Sequence, residues 1–432
     1  MNYIPPMKPN KLITKGGWDI IHIYGSPYER GYTHGNLLAG KFAYIQKVFE
    51  YEIESEFKVS LAEYLRTCRE NVSPIVKKKY PEFYEELRGI ADGVNAKTTT
   101  RGITIDWLIA WNSFLSMYTY YDTPTRESRQ PLRCSAFIAT GKSYTQNGDI
   151  VMAHNTHADY MFGQIQNVMM YVYPTNGYSF VMQTTPGYIC SGTDWFLCSS
   201  GIIGCETTIS DTSYDLDFKT GTPYFCRIRQ AMQYAATLDE YHTIMITNNA
   251  GDYACSWLLG DTNTGEIMVI ELGLKTTSVQ RTNDGAYHGM NSALNTALRA
   301  TETTDMQLYD TSTSSGARNS RLYYLLHDKY KGKITVDTAK KIIVDHYDAY
   351  LGMTHAGPRG ICSHKRSKKH IEYGAVDAKV VDTSMAKTLS TWCRLGPPCG
   401  KGMRHANTVK THHTRKSITY KLSARKWIKI TS

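Results

Sequence analysis

The chain has 432 residues, of which 41% are hydrophobic, 20% charged and 12% aromatic. This composition excludes a disordered chain and suits one large domain or two to three ordinary ones. The formal charge is +10, yet Thr383 to Ser432 contains no Asp or Glu and eleven Lys or Arg, so the first 382 residues carry about −1.

The N-terminus, Met1 to Lys8, has no apolar core of a signal peptide. No stretch approaches the roughly 18 apolar residues of a membrane helix. An intracellular, reducing compartment is therefore the default expectation. Residues 17–40 read as a strand, Trp18 to Tyr24, a turn at Gly25-Ser-Pro27, and a helix from Tyr28 onwards. Helical periodicity continues to about residue 120. Phe83, Leu87, Ile90 and Val94 form one stripe, with Glu85, Glu86 and Asp92 off it, and Trp107, Leu108, Trp111 and Phe114 belong to another helix. The polar, proline-bearing stretch Asp122 to Pro131 reads as an exposed linker. From Cys134 to about Gly273 the pattern is of strands, including Ile165–Tyr173, Ser179–Gln183 and Glu266–Glu271, interrupted by a helix at Tyr224–Leu238. Asp261 to Gly265 is a hairpin turn. Helices return at Arg318–Leu326 and Val336–Asp345, and an irregular region begins at Gly374. Helices, then strands, then helices imply a layered sandwich of two antiparallel sheets covered by helices.

Ten cysteines are present and none forms a Cys-x-x-Cys pair. Cys393 and Cys399 alone have metal-like spacing, and no second pair accompanies them, so neither a metal nor a cofactor is expected. Several cysteines lie inside apolar strand-like runs and read as reduced core thiols, as in Trp195-Phe-Leu-Cys198. Cys134 is different. It opens a strand directly after the linker and follows a basic residue, Arg133. After a turn at Gln146-Asn-Gly-Asp149, a second strand ends in His154-Asn155-Thr156-His157. A self-cleaving amidohydrolase needs such an arrangement: a thiol that attacks the carbonyl just upstream and a freed α-amine that becomes the base. The alternative is a small buried strand residue.

Several segments bear on that choice: Gly25-Ser-Pro-Tyr-Glu-Arg-Gly-Tyr-Thr-His-Gly35, Glu86-Leu-Arg-Gly-Ile-Ala-Asp-Gly93, Cys134-Ser-Ala-Phe with His154-Asn-Thr, Ser199-Ser-Gly-Ile-Ile-Gly-Cys-Glu-Thr-Thr208, and Asn248-Asn-Ala-Gly-Asp-Tyr-Ala-Cys-Ser-Trp257. In order and spacing, over roughly residues 18–380, they resemble the N-terminal-nucleophile hydrolases of the phospholipase B-like group, and they are similar to the isopenicillin-N acyltransferase family. The resemblance implies an α+β fold, a four-layer αββα sandwich, with Cys134 as the first residue of a mature fragment after cleavage at Arg133–Cys134. His157 stands where the acyltransferase pattern has an aspartate, a departure that argues against acyltransferase chemistry on the same substrate.

Within this frame the hairpin after Cys134 has two registers. A two-residue Asn147-Gly148 turn puts residue 161 opposite Cys134, whereas a loop over 142–148 puts Thr156 there. The longer loop brings the polar cluster to the thiol and is preferred. His154, Asn155 and Thr156 are the neighbouring candidates, His154 having the alternative of a strand histidine bonded to backbone. Asn249, or Asn248, is the candidate oxyanion donor, with a turn asparagine as the alternative. Glu206 either orients a donor or occupies a strand edge. Arg318 and Arg321, three apart on a helix, share a face and are read as a carboxylate or phosphate clamp or as a surface face.

The expected division is an N-terminal helical segment at 1–133, a catalytic core at 134–382 and a basic extension at 383–432. The expected activity is hydrolysis of an amide or ester bond in a small acylated substrate or lipid. The rival is a catalytically silent sandwich that binds nucleic acid or an anionic membrane surface through Arg425, Lys426 and Lys429.

Overall fold

The structure, a computed structural model, describes residues 10–98, 102–121, 133–212, 216–304, 308–365 and 371–432. The linker expected at 122–131 lies outside them. The chain begins with β1 (Ile13–Lys15) and β2 (Trp18–Gly25), then runs through α1 (Pro27–Leu38), α2 (Phe42–Glu52), α3 (Leu61–Asn71), α4 (Ser73–Lys79), α5 (Pro81–Asn95), α6 (Ile105–Asn112) and α7 (Met117–Tyr121). Strands β3 (Arg133–Thr140) and β4 (Val151–Asp159) form a hairpin, followed by α8 (Tyr160–Gly163), β5 (Val168–Pro174), β6 (Phe180–Thr184), β7 (Trp195–Cys198) and β8 (Ile202–Thr208). Then come α9 (Tyr224–Tyr234), α10 (Leu238–Ile246), β9 (Cys255–Asp261), β10 (Ile267–Leu272), β11 (Thr277–Thr282) and β12 (Gly285–Gly289). The last third contains α11 (Thr296–Glu302), α12 (Ser314–Tyr324), α13 (Val336–Ile343) and the short strands β13 (Tyr347–Asp348), β14 (Met353–Thr354), β15 (His364–Lys365) and β16 (Tyr373–Ala375). It closes with β17 (Asp377–Asp382), α14 (Thr383–Ala386), β18 (Thr391–Leu395), β19 (Asn407–Lys410), β20 (Ser417–Tyr420) and β21 (Ile428–Ile430).

This is a mixed α/β fold with several antiparallel sheets, and neither large sheet closes into a barrel. One sheet runs β1-β2-β5-β6-β7-β8-β9-β10-β11, with a single parallel pair between β2 and β5. The other runs β12-β3-β4-β17-β18-β21, with β16 also on β4. Strand alternation explains their faces. On β3 and β4 the even-numbered Ala136, Ile138 and Met152 share a core with Met169, Trp195, Leu197 and Ile203 of the other sheet. The odd-numbered Phe137, Ala139 and Ala153 pack instead with Leu322, Leu325, Ile342 and Ile343 of the α12–α13 region. The outer face of the nine-stranded sheet packs under helices of the first third, with Phe49, Leu87, Leu108 and Trp111 beside Met170, Met182 and Phe196.

The nine-stranded sheet crosses the sequence boundary at 133, and the other sheet crosses the one at 382. Strand β2, from the first segment, pairs with β5, while β18 and β21, from the basic extension, add two strands beyond β17. The region from Gly374, expected to be irregular, supplies β17, which pairs directly with β4. Its charged Asp377 and Lys379 interrupt an otherwise apolar run and hide the strand in the sequence.

Candidate active site

The β3–β4 register places Cys134 opposite Thr156 and Ala136 opposite His154, as the longer loop requires. Alternation then divides the polar cluster. Thr156 and His154 share the inter-sheet face with Cys134, while Asn155 and His157 point to the α12–α13 side. There the Asn155 side chain accepts from Ser135 N at 3.1 Å and donates to the carbonyls of Ile343 and Ile361. His157 Nε2 lies 3.0 Å from the Ile361 carbonyl. The sequence cluster of four is thus two residues beside the thiol and two that anchor the strand from behind.

Two side chains hold the Cys134 backbone. Its N–H donates to Asn291 Oδ1 at 3.0 Å, and its carbonyl accepts from Arg318 Nη1 at 2.6 Å. The same guanidinium nitrogen reaches Ser135 Oγ and Asn291 Oδ1. Asn291 has the left-handed φ of 81° and donates to the Thr208 carbonyl, which locks its amide orientation. Arg318 projects from α12 and is fully buried. Arg321 diverges from it: it forms a two-point ion pair with Asp345 and stacks over Tyr347, so the expected clamp does not assemble. Sequence reasoning missed Asn291, which sits in Met290-Asn-Ser292 with no flanking motif.

Around the thiol the inter-sheet face is polar and buried. Lys379, fully buried, donates to Asp377 Oδ1 at 2.6 Å and to Thr156 Oγ1 at 3.2 Å. Asp377 also accepts from Thr156 N and from Gln183 Nε2. Across the face, Glu206 accepts from Tyr253 OH at 3.0 Å, and Asp194 accepts from Tyr224 OH at 3.0 Å. Burial, then the facing Asp194, raises the Glu206 carboxyl well above its ordinary value; burial pushes Asp194 up to about 6. Both carboxyls therefore resist ionisation, because a buried site disfavours two adjacent negative charges. Burial likewise raises the Cys134 thiol, and the nearby Glu206 and Asp194 add to the effect. Burial, then Lys379, holds His154 well below its ordinary value, so its ring is neutral. Its Nε2 meets the Glu206 carbonyl at 3.0 Å and must donate there, leaving the Nδ1 lone pair without a hydrogen-bond partner. Lys379 and Asp377, absent from the sequence reading, were detectable as two charges at i and i+2 within an apolar strand-like run.

Asn249 lies elsewhere in the fold. Its side-chain amide donates to the Gly273 carbonyl, at 3.1 Å, and to that of Leu274, and accepts from Gly251 N, the pattern of a turn asparagine. Asn248 takes a left-handed φ of 54° at the same turn. Separately, His346, Cys362, His364 and Cys399 bring four ligand atoms within 4.8 Å of one another. Cys393, which shares metal-like spacing with Cys399 in the sequence, is buried in the inter-sheet core instead. All ten cysteines are free thiols.

The phospholipase B family model matches residues 69–269. This span includes Cys134, His154, Thr156 and Glu206 and stops before Asn291, Arg318 and Lys379. An uncharacterized protein of Archaeoglobus fulgidus is 28% identical over 236 residues, 51% of this chain and 38% of that protein. The matched part therefore spans well under half of that relative. Among the described residues no helix is long and apolar enough to cross a membrane.

Proposed function

We propose that the protein is a self-cleaving N-terminal-cysteine hydrolase with the four-layer αββα architecture of that class, acting on an amide or ester bond of an acylated substrate. The observation that carries this reading is the treatment of Cys134. A structural core thiol needs only packing, whereas this residue has its N–H held by Asn291, its carbonyl by Arg318 and its side chain directed to a buried polar face. The match to the phospholipase B family over the β3–β4 hairpin supports a hydrolase, and a lipid ester is the leading substrate class.

In the intact chain the Cys134 nitrogen is an amide and the buried thiol is held protonated. Maturation begins when the sulfur adds to the Arg133 carbonyl. The C–N bond breaks as the nitrogen takes a proton, and water then hydrolyses the resulting thioester to an Arg133 carboxylate and a free thiol. The freed α-amine, with an ordinary pKa of about 7.7–8.0, is partly neutral at physiological pH and takes the thiol proton in each later turnover. Asn291 stays bonded to that nitrogen and orients it. The Glu206 and Asp194 carboxyls, both raised by burial, weigh less against the developing thiolate when protonated, and Lys379 favours it. With its depressed basicity, His154 acts as an acceptor through Nδ1 rather than as a standing base.

The test is the mass of the purified chain. Two fragments whose junction is Cys134, and a single chain in Cys134→Ala, are the expected result. A wild-type chain that stays whole for days sinks self-cleavage. Cutting at the same bond in Cys134→Ala assigns it to a separate protease.

A further inference from the structure

The geometry points to a structural zinc site formed by His346, Cys362, His364 and Cys399. His346 lies just beyond α13, Cys362 and His364 flank Ser363 at the start of β15, and Cys399 sits in the turn after β18. Three separate segments therefore meet at one point. His364 Nε2 is 3.2 Å from His346 Nε2, 3.3 Å from Cys399 Sγ and 3.4 Å from Cys362 Sγ. A ring nitrogen carries one proton or one lone pair, so it cannot satisfy three neighbours by hydrogen bonding. A shared cation satisfies all of them. Zinc bonds of about 2.3 Å to sulfur and 2.0–2.1 Å to nitrogen give tetrahedral edges of roughly 3.3–3.8 Å; the three edges at His364 Nε2, 3.2–3.4 Å, lie at the short end of that range, and all four ligand atoms fall within 4.8 Å of one another. Two thiolates and two imidazoles with no carboxylate select zinc over calcium or magnesium. Both cysteines lie beside the same histidine nitrogen, which suits one ion rather than a cluster that segregates its histidines on one iron.

The surroundings fit a closed, structural site. Cys362 and His364 are buried. The Tyr160 hydroxyl lies 3.2 Å from His364 Nδ1; accepting that proton leaves the Nε2 lone pair for the metal. The segment from His346 to His364 contains only two-residue strands, so little regular structure holds it. It nevertheless carries Ile361, whose carbonyl anchors both Asn155 and His157 behind β4. The zinc would staple this segment and Cys399 to the sheet that bears Cys134. The assignment of the metal does not depend on the chemistry proposed for Cys134.

The experiment uses the full chain, expressed without a polyhistidine tag and purified without chelator. Elemental analysis is expected to find about one zinc per chain, falling below roughly a tenth in Cys399→Ser and in His346→Asn. Cobalt replacing zinc is expected to give a thiolate-to-cobalt charge-transfer band that both variants lose. His346→Cys keeps a tetrahedral zinc donor set and should restore the metal, which separates lost ligation from lost folding. Removing zinc with a chelator should lower the melting temperature of the wild type and leave that of Cys399→Ser unchanged. A wild-type chain that holds no zinc even after incubation with it, variants that retain it fully, a Cys362–Cys399 disulfide in freshly lysed protein, or an iron chromophore would each overturn the assignment.

Discussion

Asn291 and Arg318 grip the two ends of a single residue, Cys134, and share a hydrogen bond with each other. Removing the Asn291 amide leaves the buried Cys134 N–H without its acceptor, so the Arg133–Cys134 peptide to be cleaved loses the group that holds its nitrogen. Asn291→Ala is expected to slow fragment release by about 10²-fold, the scale of losing one fixed polar group at a reacting carbonyl. Asn249→Ala, which disturbs only the turn at Gly273 and Leu274, is expected to lower stability while leaving the cleavage rate near that of the wild type. The comparison is a time course of fragment appearance on gels with matched melting curves. Equal slowing in both variants would remove the distinction drawn between the two asparagines.

Helices α1 and α5 show what two of the glycine-bearing motifs do. Gly31 and Gly35 on α1 face Gly89 and Gly93 on α5, each pair four residues apart. A Cβ at Gly31 would collide with the Glu86 carbonyl, and one at Gly89 with that of Tyr28. The backbones therefore touch, and only glycine permits it. The contact buries Glu86 between Arg30 and Arg229, each 2.8 Å away. Burial alone would raise the Glu86 carboxyl, but Arg229 and Arg30 hold it below its ordinary value. These motifs thus build the helical layer over the nine-stranded sheet and contribute no group to Cys134. Glu86→Gln leaves two buried guanidiniums facing a neutral amide and is expected to cost about 3–5 kcal/mol in urea unfolding. The ion pairs stabilise above the carboxyl's unfolded pKa and are lost as pH falls through its folded value. A wild-type-like midpoint in Glu86→Gln would show that the triad is dispensable.

At the scale of the whole molecule the basic C-terminus is part of the body. Strand β21 pairs with β18, and the β19–β20 hairpin lies against α2 and the turn that follows it, where Lys416 meets Glu50 at 2.8 Å and Glu54 accepts from His412 N at 2.6 Å. Truncation would therefore remove sheet strands along with charge, and substitution is the cleaner test. Arg425, Lys426 and Lys429 remain exposed. Reversing these three to Glu is expected to lower the salt needed for elution from a polyanion column while leaving the melting temperature unchanged, since exposed charges act over about a Debye length. Unchanged elution would remove an anionic surface as the partner of this face.

Local pattern determined the helices of the first third and the β3–β4 hairpin, because period and turn residues are properties of neighbouring residues; it left two registers open, and the choice of the longer loop came from bringing the polar cluster to the thiol. It singled out Cys134 by its place at the head of a strand. The split of His154 and Thr156 from Asn155 and His157 was also legible from strand alternation, though the cluster reads at first as one unit. Tertiary structure alone decided the rest. Asn291 and Arg318 reach Cys134 from 157 and 184 residues away, and Lys379 joins it only because β17 pairs with β4. Cys399 finds Cys362 and two histidines rather than Cys393, because the turn after β18 meets the segment that α13 delivers. These contacts join distant points of the chain, and what sets them is the packing of complete layers, which no local spacing encodes.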